Sequence, residues 1–307
     1  MKMTFILNLL VIFLTTILFT FLSTLFKFKN SNKLNTFSAG LLIGTSLGVV
    51  LPEGFESLPS NYEDHQVGLI VVLGYILMLI IDTLITPHNH NSSDEEEDEN
   101  IGSQHSSPPT GNANSNNSAI SHHQSTQIPT RMRSYTPLRP NTDMTLLKES
   151  TSRAISKTIG LSIHSLCDGI ALGSASYSQS SSSLSFIVFL AIAIHKAPAS
   201  FGLATSLLSL SPSIKPSFLR LCIFLFAISA PFSAIVTYGI LNFLNIENND
   251  DSLIPSYSLL FSGGSFLFVA SQSTSESVNR NNNSTVFLKY FILGIVIPIL
   301  ISLFISH

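Results

Sequence analysis

The chain has 307 residues, of which 11% are Asp, Glu, Lys or Arg and 45% are hydrophobic. An ordinary soluble domain carries roughly 25% charged residues, so the composition excludes a single soluble globular domain. A net charge of −3 without any stretch rich in Lys or Arg excludes nucleic acid as a partner. Two cysteines cannot form a disulfide framework.

Eight stretches are long and apolar enough to cross a bilayer, since a membrane helix needs about 20 mostly apolar residues. In chain order they cover approximately 4–26, 36–57, 67–86, 154–176, 184–209, 218–243, 254–275 and 287–306. The first is longer than the roughly 7–15-residue apolar region of a signal peptide, so we expect it to be retained. The seventh is the weakest, because Ser and Gln replace apolar residues after Ala270. We therefore predict an all-α polytopic membrane protein with eight transmembrane helices.

Loops that carry Lys or Arg alternate with loops that carry neither residue along the seven connections between these spans. The odd-numbered loops and their edges carry Lys or Arg, whereas the second, fourth and sixth loops carry none. Cytoplasmic loops are enriched in both residues. The odd-numbered loops are therefore predicted to face the cytoplasm, and both chain termini to face the opposite side.

The long third loop separates the first three helices, within 1–86, from the last five, within 151–307. Residues 87–150 are rich in Ser, Asn, Pro and acids, and they cannot bury enough apolar surface to fold, so we predict a disordered cytoplasmic loop. The loop contains five histidines: His88, His90, His105, His122 and His123. A His- and acid-rich tract can bind metal loosely. A solvated linker that binds no metal is the alternative.

Several ionisable side chains lie inside the predicted spans. They are Glu53, Asp82, His164, Asp168, His195, Lys196 and Glu276. A charged side chain near mid-bilayer costs about 2.5–3.5 kcal/mol on insertion scales, so these groups are expected to face one another, water or a ligand. An ionisable residue at such a depth is a candidate for a functional site.

The fourth and fifth spans carry the most informative of these residues. His164 and Asp168 are four residues apart, so they project from one helix face and can both ligate a divalent ion. A hydrogen-bonded pair that only joins two helices is the alternative. His195 lies about as deep in the fifth span, which runs antiparallel to the fourth, so the two imidazoles can meet near the midplane. Lys196 could neutralise Asp168 or Glu53 when no metal is bound.

The second and seventh spans share a short motif. Residues 37–40, Phe-Ser-Ala-Gly, match residues 261–264, Phe-Ser-Gly-Gly, and a glutamate follows each motif at a similar distance, namely Glu53 and Glu276. The loop charges give these spans opposite directions. A repeated element in opposite orientation is typical of the inverted repeats of secondary transporters.

The sequences His164-Ser-Leu-Cys-Asp168 and His195-Lys196 resemble motifs of the ZIP (Zrt/Irt-like) divalent metal transporters. The resemblance covers all eight spans and the long third loop, and within solute carrier family 39 it is strongest to the Golgi-associated branch. It implies an inverted-repeat (3+2+3) ZIP-like arrangement of helices. It also implies transport of Zn²⁺, Mn²⁺ or Fe²⁺ from outside the cell or from an organelle lumen into the cytoplasm.

The resemblance also implies the residues of the site. His164, Asp168 and His195 match family positions that bind the transported ion. Lys196 stands where many members have an acidic residue, and Ala199 where many have Glu or His. We therefore expect one transported ion, with Lys196 supplying the positive charge of a second ion.

A transport mechanism follows from these assignments. The ion passes Glu53 on the non-cytoplasmic side, binds at the midplane and is released when one repeat moves against the other. Glu276 is a further candidate for access or gating, although the His that precedes a Glu in many members is absent here. Zinc suits His and Asp ligands best, with manganese and iron as alternatives, and the ion is cargo rather than a prosthetic group. The expected partners are this ion, the lipid bilayer and a second copy of the chain in a homodimer.

We expect an integral membrane protein of the Golgi, the secretory pathway or the plasma membrane, and no enzyme activity. Two other functional classes remain open from the residues alone. An intramembrane hydrolase could hold a fixed zinc ion among the same His and Asp residues and activate a water molecule. A metal-independent membrane receptor or scaffold is the second alternative.

Overall fold

The computed structural model describes residues 3–25, 31–58, 64–86, 140–177, 182–210, 214–244, 253–280 and 283–305. Its helical elements are α1 Met3–Leu25, α2 Ser31–Thr45, a π-helical turn Ser46–Val50, α3 Leu51–Glu56, α4 Asp64–Ile85, α5 Pro140–Tyr177, α6 Ser182–Leu210, α7 Pro216–Phe243, α8 Ile254–Arg280 and α9 Ser284–Ile305. The described residues contain no β-strand. The prediction of an all-α fold is therefore confirmed.

Seven helical segments among the described residues are long and apolar enough to cross a membrane. They are Met3–Ser23, Asn32–Glu56, Gln66–Ile85, Ser185–Leu210, Pro216–Phe243, Ile254–Arg280 and Ser284–Phe304. They coincide with seven of the eight predicted spans. The described helices belong to one compact unit, Met1–His88 with Asn141–His307, and of the second unit, Asn89–Pro140, the structure describes only Pro140.

The remaining predicted span lies in α5, which is too polar to be among those seven. Many of its polar side chains are nevertheless buried by protein: Ser152, Ser156, Lys157, Thr158, His164, Ser165 and Asp168. Hydrogen bonds join α5 to α4, α6, α7 and α8. Because neighbouring helices cover these side chains, they need not face lipid. Helix α5 begins at Pro140 rather than near residue 154, because its first turns are polar and hydropathy detects only the apolar part. Residues 140–150, predicted as the end of the disordered loop, are therefore helical, and residues 87–139 lie outside the described residues.

The second span is not a uniform α-helix. A five-residue π-helical turn, Ser46–Val50, separates α2 from α3, and Pro52 lies just after it. Proline has no backbone N–H, and its ring clashes with the carbonyl four residues earlier, which is that of Gly48. The wider turn accommodates this clash by adding one residue to the helix.

Two pairs of helices approach closely through glycine. Four of the glycines in these contacts occupy matching positions in the two pairs, and at each of them a Cβ atom would clash with a backbone carbonyl of the facing helix. The contacts are Gly40 with Phe291 and Gly294 with Phe37 between α2 and α9, and Gly264 with Val71 and Gly74 with Phe261 between α8 and α4. When the matching motifs of α2 and α8 are aligned, the glycine contacts between α8 and α4 fall at the same positions as those between α2 and α9. This repetition confirms the inverted-repeat arrangement.

Hydrogen bonds at the helix ends follow the same repeat. The Ser256 hydroxyl donates to the Ser57 carbonyl, and the Asn32 amide donates to the Arg280 carbonyl at 3.4 Å. In the repeat, Asn32 matches Ser256 and Ser57 matches Arg280. The sequence separation of the second match is one residue shorter, because the π-helical turn adds a residue to the second span. Counted in this way, Glu53 is the counterpart of Glu276.

Candidate metal centre

Helix α5 places His164 and Asp168 side by side. Nε2 of His164 lies 3.4 Å from Oδ2 of Asp168, and both side chains are completely buried. The four-residue spacing produces this geometry because side chains one turn apart on a helix face are neighbours. The small residues that follow allow a close neighbour: Gly169 and Gly173 lie against backbone atoms of α7.

Helix α6 brings the third predicted ligand to the same point. Nε2 of His195 lies 3.2 Å from Oδ2 of Asp168. One ligand atom from each of His164, Asp168 and His195 lies within 4.8 Å of the others. Within the described part of the chain, His164 Nε2 and His195 Nδ1 have no hydrogen-bond partner. A buried polar atom left unpaired costs about 1–3 kcal/mol, and a bound cation would satisfy such nitrogen atoms.

Lys196 lies at the edge of this cluster and is completely buried. Its ammonium nitrogen is 3.8 Å from Oδ2 of Asp168 and donates a hydrogen bond to the hydroxyl of Ser165. It also lies 4.7 Å from the ring centroid of Phe226, a favourable cation–π contact. The position is that of a counter-ion for the Asp168 carboxylate.

One residue that contacts the cluster was not assigned to the site from the sequence, namely Ser262. The hydroxyl of Ser262, on α8, lies 2.6 Å from Nδ1 of His164 and 2.6 Å from Oδ1 of Asp168. The ring of Phe266 stacks on the imidazole of His164, with ring centroids 4.4 Å apart. Ser262 belongs to the motif shared with the second span, so the sequence indicated its place in the repeat but not its contact with the site.

Glu53 does not join the three-residue cluster. Its half-buried side chain lines a cavity of 380 Å³ between the second span and α6, together with Glu56. Ile194 also lines this cavity, and it immediately precedes His195 in the chain. The cavity is therefore next to the cluster and carries two carboxyl groups.

Glu276 and Asp82 lie at the end of the helix bundle away from Glu53 and are also outside the cluster. Glu276 forms an ion pair of 2.6 Å with Lys157, whose side chain is 3% exposed. The Asp82 carboxylate accepts hydrogen bonds from Gln272, at 2.9 Å, and from Ser156. Glu276 and Gln272 line a second cavity, of 330 Å³. The predicted loop contacts, His88, His90, His105, His122 and His123, lie outside the described residues.

The helices define a polytopic membrane protein, and its buried His/Asp cluster is a group of donor atoms close enough together to hold a metal ion. A sequence model of the family described as "ZIP Zinc transporter" matches residues 2–302. The chain belongs to the ZIP family. The resemblance seen in the motifs of the fourth and fifth spans is thereby confirmed.

Individual relatives agree with this assignment. "Zinc transporter ZIP9" of Micropogonias undulatus is 29% identical over 316 aligned residues, which cover 86% of this chain and 85% of that protein. "Zinc transporter ZIP9" of Xenopus tropicalis is 28% identical over 265 residues, covering 76% of this chain and 70% of that protein. "Protein zntD" of Dictyostelium discoideum is 33% identical over 137 residues, covering 44% of this chain and 19% of that protein.

Proposed function

We propose that this protein transports a divalent metal ion, zinc first of all, across a membrane into the cytoplasm. The observation that carries the proposal is the buried cluster of His164, Asp168 and His195, contributed by two helices of a ZIP-family chain. No single helix provides this donor set. It forms only when α5 and α6 pack together, so motion of these helices would change its affinity for the ion.

The donor atoms set the class of ion. Two imidazoles and one carboxylate suit Zn²⁺, and the same mixture also accepts Mn²⁺ and Fe²⁺. The ion must leave the site in every cycle, so its binding has to be moderate. A bound ion needs neutral imidazoles and an ionised carboxylate, so binding is linked to proton release.

The charges favour one ion at a time. The cluster offers a single carboxylate, and the ammonium of Lys196 already lies 3.8 Å from it. A second divalent ion beside Asp168 would be repelled by this buried ammonium. An acidic residue at this position would help to bind a second ion. The ammonium of Lys196 supplies positive charge there instead.

The two cavities suggest a route through the protein. Glu53 and its counterpart in the repeat, Glu276, line one cavity each. We propose that Glu53 attracts the ion on the non-cytoplasmic side. On the cytoplasmic side, Glu276 is paired with Lys157, and this ion pair holds α5 and α8 together until one repeat moves against the other.

The orientation, location and assembly complete the proposal. The distribution of Lys and Arg among the loops favours a cytoplasmic third loop and non-cytoplasmic termini. The Golgi, the secretory pathway and the plasma membrane are the membranes we propose, and a homodimer is the assembly. Histidines of the third loop could receive the released ion.

Two relatives that cover most of this chain are named zinc transporters, which favours transport over the two other classes. A hydrolase would need a base close to its fixed zinc ion and strong protein ligands. Among the described residues, the carboxylate within 4.0 Å of the two imidazoles is that of Asp168 itself, and the charged side chain beside it is Lys196, a cation. A receptor or scaffold gives no reason for two buried imidazole nitrogens without partners.

Uptake of radioactive zinc and manganese into liposomes that contain the full-length protein tests the proposal. His164→Ala and Asp168→Asn should abolish saturable uptake. Glu149→Gln is the matched control, because it makes the same carboxylate-to-amide change on the exposed face of α5. Equal uptake in all variants, with equal protein incorporation, would refute transport through this site.

A further inference from the structure

Ser262 contacts two of the three proposed ligands from a third helix. It lies on α8 and is completely buried. Its hydroxyl oxygen is 2.6 Å from Nδ1 of His164 and 2.6 Å from Oδ1 of Asp168. Its backbone carbonyl oxygen is 3.3 Å from the same Nδ1. One serine therefore joins the imidazole and the carboxylate of the cluster to α8.

The directions of these hydrogen bonds follow from the groups involved. A carbonyl oxygen can only accept, so Nδ1 of His164 carries the proton and donates to Ser262. The serine hydroxyl keeps its single hydrogen, which it donates to the ionised carboxylate of Asp168. A neutral imidazole with its proton on Nδ1 has a lone pair on Nε2. This is the form of histidine that binds a metal ion through Nε2.

The lone pair points into the cluster. Nε2 of His164 is 3.4 Å from Oδ2 of Asp168, and it has no hydrogen-bond partner within the described ranges. Phe266, one turn after Ser262 on α8, stacks on the imidazole at an interplanar angle of 12°. Helix α8 therefore fixes both the tautomer of His164 and the plane of its ring.

The other imidazole has no equivalent support. In the inverted repeat, Ser38 of α2 is the counterpart of Ser262. The Ser38 hydroxyl donates instead to the carbonyl of Asn35 in its own helix, at 3.0 Å. Nδ1 of His195 has no hydrogen-bond partner in the part of the chain that the structure describes. Nε2 of His195 lies within hydrogen-bond distance of Oδ2 of Asp168, at 3.2 Å. The site thus combines one imidazole that a third helix supports with one that, among the described residues, the carboxylate of the cluster itself supports.

We infer that Ser262 is a positioning residue for the transported ion, which holds His164 in the tautomer that binds the ion and connects the site to α8. This inference rests on the proposed function. Hydrogen-bond partners of metal-binding histidines fix the tautomer and the ring orientation, and their loss costs roughly 10- to 100-fold in metal affinity. Because Ser262 acts through His164, its removal should weaken ion binding more than it lowers the maximal rate.

Ser262→Ala and Ser38→Ala are a matched pair of variants, since each removes one buried hydroxyl from equivalent positions of the two repeats. For both full-length variants, initial rates of zinc uptake into liposomes give KM and the maximal rate. Competition with a chromophoric chelator in detergent gives the Kd. Ser262→Ala should raise KM and Kd by roughly 10- to 100-fold with little change in the maximal rate. Ser38→Ala should leave all three values unchanged.

His164→Ala, measured alongside, separates two kinds of failure. If His164→Ala abolishes uptake but Ser262→Ala behaves like Ser38→Ala, the role of Ser262 is refuted and the proposed function stands. If His164→Ala retains uptake, the proposed site is wrong, and the inference that depends on it is wrong too.

A measurement on the unaltered protein keeps the inference testable even if Ser262→Ala fails to fold. Nuclear magnetic resonance of protein with isotope-labelled histidine side chains distinguishes the two neutral tautomers. The signals of His164 are those that disappear in His164→Ala. In the zinc-free protein they should show a proton on Nδ1. A proton on Nε2 would refute the inference.

Discussion

Replacing Lys196 by Met tests the charge balance of the proposed site. The ammonium of Lys196 lies 3.8 Å from the Asp168 carboxylate, and the whole side chain is buried. Lys196→Met removes the charge and retains an unbranched apolar chain that can still pack against Phe226. The substitution therefore leaves the buried carboxyl of Asp168 without its cationic partner.

The size of the effect follows from the distance. Two unit charges 3.8 Å apart attract each other by about 4 kcal/mol at an effective dielectric constant of about 20. Removing one partner of a buried ion pair costs about 3–5 kcal/mol, because the other charge stays buried without compensation. We expect Lys196→Met to lower the free energy of unfolding of the ion-free protein by about this amount.

Zinc should reverse much of this loss. A divalent ion at the cluster restores positive charge beside Asp168, and in the variant it no longer meets a buried ammonium. Lys196→Met should therefore bind zinc more tightly than the wild type and gain more stability from it. Tighter binding slows release of the ion, so the maximal rate of uptake should fall.

Thermal unfolding of the detergent-solubilised protein, with a chelator and with saturating zinc, measures these effects. Lys148→Met is the control, because it makes the same change at an exposed position of α5. The reasoning is refuted if Lys196→Met and Lys148→Met unfold at the same temperature without zinc. It is also refuted if zinc raises the unfolding temperature of the Lys196 variant no more than that of the wild type.

Two further substitutions test the gate and the packing. Glu276→Gln leaves the buried ammonium of Lys157 without its partner at 2.6 Å, so it should lower the unfolding temperature. Adding Lys157→Met should recover much of the loss, and a double variant less stable than Glu276→Gln would contradict the ion pair's role. Gly264→Ala places a methyl group against the Val71 carbonyl and should cost about 1–3 kcal/mol. Gly68→Ala, with nothing within 4 Å of the added atom, should not destabilise the protein, because Ala favours a helix over Gly; an equal loss at both glycines would contradict the packing.

The sequence predicted those features that depend on local spacing. The length of the apolar segments was enough to predict the seven spans that the structure contains. Helix α5 was also predicted as a span, because its ionisable residues lie in a mostly apolar segment. His164 and Asp168 are one helical turn apart, and His195 lies at a similar depth on the antiparallel neighbouring helix. This spacing was enough to predict that the three side chains would meet. Their role as metal ligands remains a prediction.

Contacts between distant helices were not predictable in this way. Which side chain of α8 faces α5 depends on the rotation of both helices, and this is set by the close glycine contacts. Ser262 was therefore visible only as part of a repeated motif. The ion pair of Lys157 with Glu276 was missed for the same reason, although a lysine two turns before His164 inside a predicted span was a signal. The π-helical turn was not predictable from Pro52 alone, since three other prolines lie inside α-helices without such a turn, namely Pro198, Pro231 and Pro298.

The most direct test of the central claim is an anomalous difference map from crystals of the zinc-loaded full-length protein, recorded at the zinc absorption edge. One ion should lie between Nε2 of His164, Asp168 and His195, with the ammonium of Lys196 still beside the carboxylate. Asp168→Asn crystals should lose this peak. A wild-type map with two ions in the cluster would contradict the single-ion site, and a map with zinc bound only elsewhere would contradict the site itself.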